Sequence, residues 1–150
     1  MKRILIILGG VVIAGGALAG IIYLASDSAK SEETIIARAG IHWHPELTIT
    51  IKGEKQEIPA DIGIGTVHKP IHTHDNMGVL HLEFNGAVRK EDLRLGEFFE
   101  IWGKRFNKDC IFDFCNGEEG AVKFLVNGKE NSEFENYVMH EGDKIEIRYE

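Results

Sequence analysis

Six of the seven histidines fall between residues 42 and 81. Five of these form a pattern: His42 and His44 in His-Trp-His, His72 and His74 in His-Thr-His followed by Asp75, and His81 with Glu83 on the same parity. Neutral imidazole is the commonest protein ligand of transition metals, and alternate residues of a strand point to the same side. Each HxH pair can therefore present two nitrogens to one point, as a divalent ion bound at about 2 Å by each ligand requires. A single histidine is ordinarily a hydrogen-bonded or solvated side chain, whereas two HxH pairs and a fifth histidine so close together ask for a shared partner. His42, His44, His72, His74 and His81 are accordingly the candidate ligands, expected to converge around one metal ion. Asp75 and Glu83 are candidate outer carboxylates that would orient an imidazole or, in an enzyme, act as general base on a metal-bound water. His68, ahead of Pro70, and His140, in a turn, read as solvated.

A nitrogen donor set suits Zn²⁺, Cu²⁺, Ni²⁺ and Fe²⁺, and Cu²⁺ is held most tightly of these by a given site. Copper is the first expectation and zinc the second, with binding for sensing, buffering or delivery as the function. Two other classes stay open: a metal-dependent enzyme with an open coordination position, and an interaction module in which the histidines pair only with carboxylates. Three protein ligands plus water would favour catalysis, and four closed ligands would favour binding. The sequence holds no HExxH, no GxSxG and no phosphate-binding loop.

The elements that must position these side chains are mostly strands. Leu47, Ile49 and Ile51 alternate with Glu46, Thr48 and Thr50, the pattern of a half-buried strand that stops at Lys52-Gly53. His42 and His44 share the parity of the polar set, so a strand running through them would turn both rings away from the core. A short strand is expected around Glu57-Ile58-Pro59, and Asp61 to Gly65 reads as a glycine-rich loop. Val79 to Phe84 alternates again, with Leu80, Leu82 and Phe84 opposite His81 and Glu83, and Asn85-Gly86 offers a tight turn. Leu95, Phe98, Phe99, Trp102 and Phe106 recur at helical intervals, with Gly103 as a C-terminal stop. Ala121 to Val126, an Asn127-Gly128 turn and Lys144 to Tyr149 supply the closing strands. The expected class is α+β, mostly β with one main amphipathic helix.

The chain of 150 residues has room for one domain of ordinary size and excludes a tandem-domain enzyme. Ile4 to Ala25 is 22 residues without a charge, which as a helix would reach about 33 Å and cross a bilayer. Lys2 and Arg3 precede this run and Asp27, Glu32 and Glu33 follow it, so the positive-inside rule puts the N-terminus in the cytoplasm and the remainder outside. A cleaved signal peptide is the rival, because Ala17-Leu18-Ala19 resembles a small-residue cleavage site; the continuation of the apolar run past Gly20 favours an uncleaved anchor. Gly16 and Gly20 make a GxxxG spacing through which two such helices could pair as a homodimer. The expected organisation is an anchor over 1–25, a polar tether over 26–40 and an extracytoplasmic domain over 41–150. Setting Lys2 and Arg3 aside leaves 15 basic against 24 acidic residues, a net −9 beyond the anchor. Such a surface repels phosphate backbones and argues against nucleic-acid binding.

Cys110 and Cys115 are the only cysteines. In an exported domain two cysteines this close most often form a disulfide; a thiolate metal site is the alternative, although CxxxxC lacks the CxxC spacing typical of zinc.

The segments HWHPELTITIKG, IPADIGIG, IHTHDNMGVLHLE, LGEFFEIWGKRF and VNGKENSEFENYVMHEGDKIEIRYE together resemble a family of small exported or membrane-anchored archaeal and bacterial proteins. The likeness covers nearly all of residues 41–150, with HTHD…GVLH and LGEFF.IWG its most specific parts. It implies export or anchoring and carries no activity with it. The C-terminal strands and the VNG turn also resemble β-grasp domains, an analogy of fold alone. Cupin metalloenzymes use HxH too, but follow it within a few residues by glutamate. Here Asp75 is the next acid after His74, and Glu83 lies too far along.

Overall fold

A computed structural model describes residues 34–150. The expected membrane span with Gly16 and Gly20, and most of the expected tether, lie outside the described residues. Among the described residues no helix is long and apolar enough to cross a membrane. The chain divides into two units, Met1–Ile35 and Ile36–Glu150, and the core and the histidines belong to the second. The strands in chain order are β1 (Ile35–Ala37), β2 (Ile41–Trp43), β3 (Glu46–Ile51), β4 (Glu54–Gln56), β5 (Ile71–His72), β6 (His81–Phe84), β7 (Val88–Arg89), β8 (Cys110–Ile111), β9 (Phe114–Cys115), β10 (Val122–Val126), β11 (Lys129–Glu130) and β12 (Lys144–Tyr149). Among the described residues one α-helix, α1 (Leu95–Trp102), follows β7. The architecture of the described residues is mostly β with one α-helix, in keeping with the α+β class.

Alternation writes the larger sheet. In β3 and β12 every second residue is buried, and the two strands run parallel with Leu47 beside Ile145, Ile49 beside Ile147 and Ile51 beside Tyr149. Matched parity makes these six side chains one continuous apolar face. β4 folds back on β3 through Lys52-Gly53, where both residues have positive φ, the conformation a two-residue hairpin turn demands. Asn127-Gly128 turns β10 into β11 in the same way. The sheet order is β11-β10-β12-β3-β4.

The helix covers the core with its apolar stripe. Leu95, Phe98 and Phe99 are buried, and Gly103 ends the helix in a left-handed conformation with its N–H donated to the Glu100 and Phe99 carbonyls. Phe106 lies beyond that stop, yet its ring bridges Phe99 at 4.7 Å and Phe124 of β10 at 5.9 Å between centroids. Burying one such side chain fully contributes about 1.5–3 kcal/mol.

A second sheet of three strands, ordered β2-β6-β5, carries the histidines. Both pairings are antiparallel. Here several expectations need correction. His42 to Thr50 is not one strand: β2 and β3 belong to different sheets, and the parity argument does not pass through His44-Pro45. Proline has no N–H for a ladder and restricts the residue before it. Pro45 instead gives its carbonyl to the Leu80 N–H at 2.9 Å, beside the Glu46–Val79 bridge, so the chain changes sheets there. The strand expected around Glu57-Ile58-Pro59 lies earlier, at Glu54–Gln56; the Pro59 carbonyl accepts from the Thr73 hydroxyl at 2.8 Å. Asn85-Gly86 is a corner and not a hairpin turn, because β7 leaves to pair with β1. Residues 35–37 form β1, and Ile36 and Ala37 pack on the core.

Candidate metal centre

Register explains how the histidines meet. On one face of the three-stranded sheet His72 of β5 stands directly opposite His81 of β6, and Glu83 of β6 directly opposite His42 of β2. His44 and His74 follow just past the ends of β2 and β5 with the same parity. The opposite parity belongs to the core, where Leu80, just ahead of β6, and Leu82 within it are fully buried. Thr73 fixes the HTH segment from behind: its N–H and hydroxyl oxygen bond the backbone of Ile62, each at 3.1 Å. The flanking rings are thereby held on the other side.

The ring geometry centres on His81. Its centroid lies 4.5 Å from that of His74, 4.9 Å from His44, 5.5 Å from His72 and 6.2 Å from His42. Within each HxH pair the Nε2 atoms nearly touch, 3.1 Å apart for His42/His44 and 3.2 Å for His72/His74. Two facing imidazole nitrogens share one proton or face a cation. The backs of the rings indicate which nitrogen is free. His72 Nδ1 lies 3.0 Å from the Lys69 carbonyl oxygen, which can only accept, so the proton sits on Nδ1 and the Nε2 lone pair faces the cluster. His44 Nδ1 faces a Glu141 carboxylate oxygen at 3.5 Å, and the other Glu141 oxygen accepts the His44 backbone N–H at 2.6 Å. An oxygen behind the ring is the usual partner of a metal-binding histidine.

Ligand atoms fall into two overlapping sets, His72, His74, His81 and Glu83 in one and His42, His44 and His81 in the other, and within each set they lie within 4.8 Å of one another. The sequence reading gathers all five rings about one ion, and the structure divides them between these two sets. His81 belongs to both, and its Nδ1 is buried without a hydrogen-bond partner. Burial, then the neighbouring His74, His44 and His72, hold the His81 pKa below the ordinary imidazole range, with Glu83 opposing. Burial thus disfavours the charged form of the ring. A buried ring nitrogen without a partner, set among other imidazoles, suits a metal ion. Depth differs across the site: the His72 side chain is 3 % exposed and that of His42 60 %, so His72 forms the floor and His42 the rim.

Glu83 is closer to the centre than its outer role implies. Its Oε1 lies 3.0 Å from His42 Nε2 and 4.0 Å from His72 Nε2. Asp75 stands apart from both sets and accepts the Met77 N–H at 2.8 Å within its own turn. His68 and His140 also lie outside the sets; both are exposed, and His140 stacks on Trp43 at 5.9 Å. Sequence reasoning missed Glu141, 97 positions from His44, and the Lys69 carbonyl, because neither carries a local signal. A groove of about 490 Å³ between the 63–69 loop and α1 is lined by none of the histidines. Cys110 and Cys115 form a disulfide across the paired strands β8 and β9, so neither is a thiolate ligand.

Comparison of the chain with protein families, with curated proteins and with solved structures gives no match.

Proposed function

We propose that this chain is a membrane-anchored, extracytoplasmic protein that binds a transition-metal ion, copper first and zinc second, for sensing, buffering or delivery. The observation that carries the reading is the close set of His72, His74, His81 and Glu83, beside which His81 also keeps a buried Nδ1 without a hydrogen-bond partner. Three imidazoles and a carboxylate fill the four positions of a tetrahedral zinc site, and the affinity order among divalent ions puts copper ahead of zinc on the same donors. The uncharged run over Ile4–Ala25 and the resemblance to small exported or anchored proteins support the anchor and its orientation. The Cys110–Cys115 disulfide fits an oxidising compartment. A β-grasp relationship is part of the proposal, supported by a hairpin (β3-β4) whose first strand lies parallel to the closing strand in the order β11-β10-β12-β3-β4.

The test is metal titration of the full-length chain, purified in detergent without a histidine tag and stripped by chelator. Binding of Cu²⁺ or Zn²⁺ tighter than micromolar, lost in His72→Ala/His74→Ala, supports the reading. An unsubstituted chain that binds neither ion that tightly, or an affinity that the double substitution leaves unchanged, overturns it.

Exposure of His74 and Glu83 favours one alternative, a metal-dependent enzyme whose ion keeps a solvent-facing position. Azide added to the copper form decides between them: a shifted visible spectrum marks an exchangeable position, and an unchanged one marks a closed binding site.

A further inference from the structure

The histidine face holds two ligand pairs of matching construction. Two ligands bonded to one ion at about 2.0–2.1 Å lie about 2.9 Å apart at a right angle and about 3.4 Å apart at the tetrahedral angle. The Nε2 separations of 3.1 Å in His42/His44 and 3.2 Å in His72/His74 fall inside that interval. Each pair also has one ring braced from behind by an oxygen, Glu141 behind His44 and the Lys69 carbonyl behind His72. The pairs flank β6 on opposite sides, one extending β2 and the other β5. Neither of the two close sets takes a member from both pairs. His81 belongs to both sets, and the carboxylate that reaches both pairs is Glu83, whose Oε1 approaches His42 Nε2 at 3.0 Å and His72 Nε2 at 4.0 Å.

Resting on the metal-binding reading above, we infer that this face takes two metal ions, one on His72, His74 and His81 and a second on His42 and His44, with the Glu83 carboxylate bridging them. A carboxylate has two oxygens and can give one to each ion. Its charge also offsets the repulsion between two cations held so close, and Glu141 adds a second negative charge beside the outer pair. The second ion lies at the rim, where His42 and Glu83 are exposed to solvent, so it is the more readily exchanged of the two.

The experiment is titration of the full-length, metal-free chain in detergent with Cu²⁺, reading bound equivalents by equilibrium dialysis and the copper signal by electron paramagnetic resonance. Two equivalents are expected, with a resolved single-ion spectrum at the first and a signal well below double at the second, because ions sharing a carboxylate couple magnetically. His42→Ala/His44→Ala should hold one equivalent with an uncoupled signal at full intensity. One equivalent in the unsubstituted chain overturns the second ion and leaves the single-ion reading standing. Two equivalents whose signals simply add overturn the bridge. No bound copper or zinc at all overturns both this inference and the metal-binding reading.

Discussion

His72 and His81 face each other across β5 and β6 with their ring planes 13° from parallel and their centroids 5.5 Å apart. The contact joins a fully buried ring to one whose Nδ1 has no partner, so it lies at the meeting point of core packing and ligand chemistry. Removing His72 takes away a candidate ligand and strands the Lys69 carbonyl that its Nδ1–H satisfies. His72→Ala should therefore weaken copper or zinc binding at least 100-fold and also destabilise the metal-free chain by about 1–3 kcal/mol. Calorimetric titration reads the first effect and chemical denaturation the second.

Glu141 acts behind His44 without joining either ligand set. Outer partners of this kind are worth about 10–100-fold in metal affinity. Glu141→Gln should lower affinity within that range while leaving the melting temperature of the metal-free chain nearly unchanged, since the residue is exposed. A melting shift as large as that of His72→Ala would assign Glu141 to the fold instead.

Acid should destabilise the metal-free chain through His81. Its pKa is lowered in the folded state, first by burial and then by its histidine neighbours, whereas the unfolded chain titrates near the ordinary value of about 6.5. As pH falls through that value the unfolded state takes up the proton first. Stability is therefore fully present above about 6.5 and declines as pH falls toward the folded-state value. Thermal melts from pH 7.5 down to 5.5 should show this decline, and His81→Asn should flatten it.

The Cys110–Cys115 disulfide closes a short loop, for which loop-closure entropy gives about 2 kcal/mol. Cys110→Ser/Cys115→Ser should lower the denaturation free energy by about that amount and leave metal affinity unchanged, because no candidate ligand lies on β8 or β9. Denaturant titration of the two proteins, followed by metal titration, checks both halves.

Local periodicity made much of the fold legible. β3, β12 and α1 follow from alternation and helical spacing, and Asn127-Gly128 from turn chemistry, because each signal is complete within a few residues. The candidate ligands are legible from type and spacing in the same way. Their grouping is not, since it depends on which strands pair and in which register. Glu83 stands opposite His42 only because β2 lies antiparallel on β6, and nothing near either residue announces it. Pro45 did carry a local signal, the missing N–H, and it marks where one apparent strand becomes two.

β3 and β12 lie side by side although about 100 residues separate Glu46 from its neighbour Lys144. Closing so long a loop costs entropy before any contact offsets it, and folds built on such distant pairings form slowly. Glu141, the brace behind His44, lies in the turn that leads into β12. The support of the outer histidine pair thus depends on the same long-range closure that completes the sheet, and a change that loosens β12 from β3 would also release Glu141 from His44.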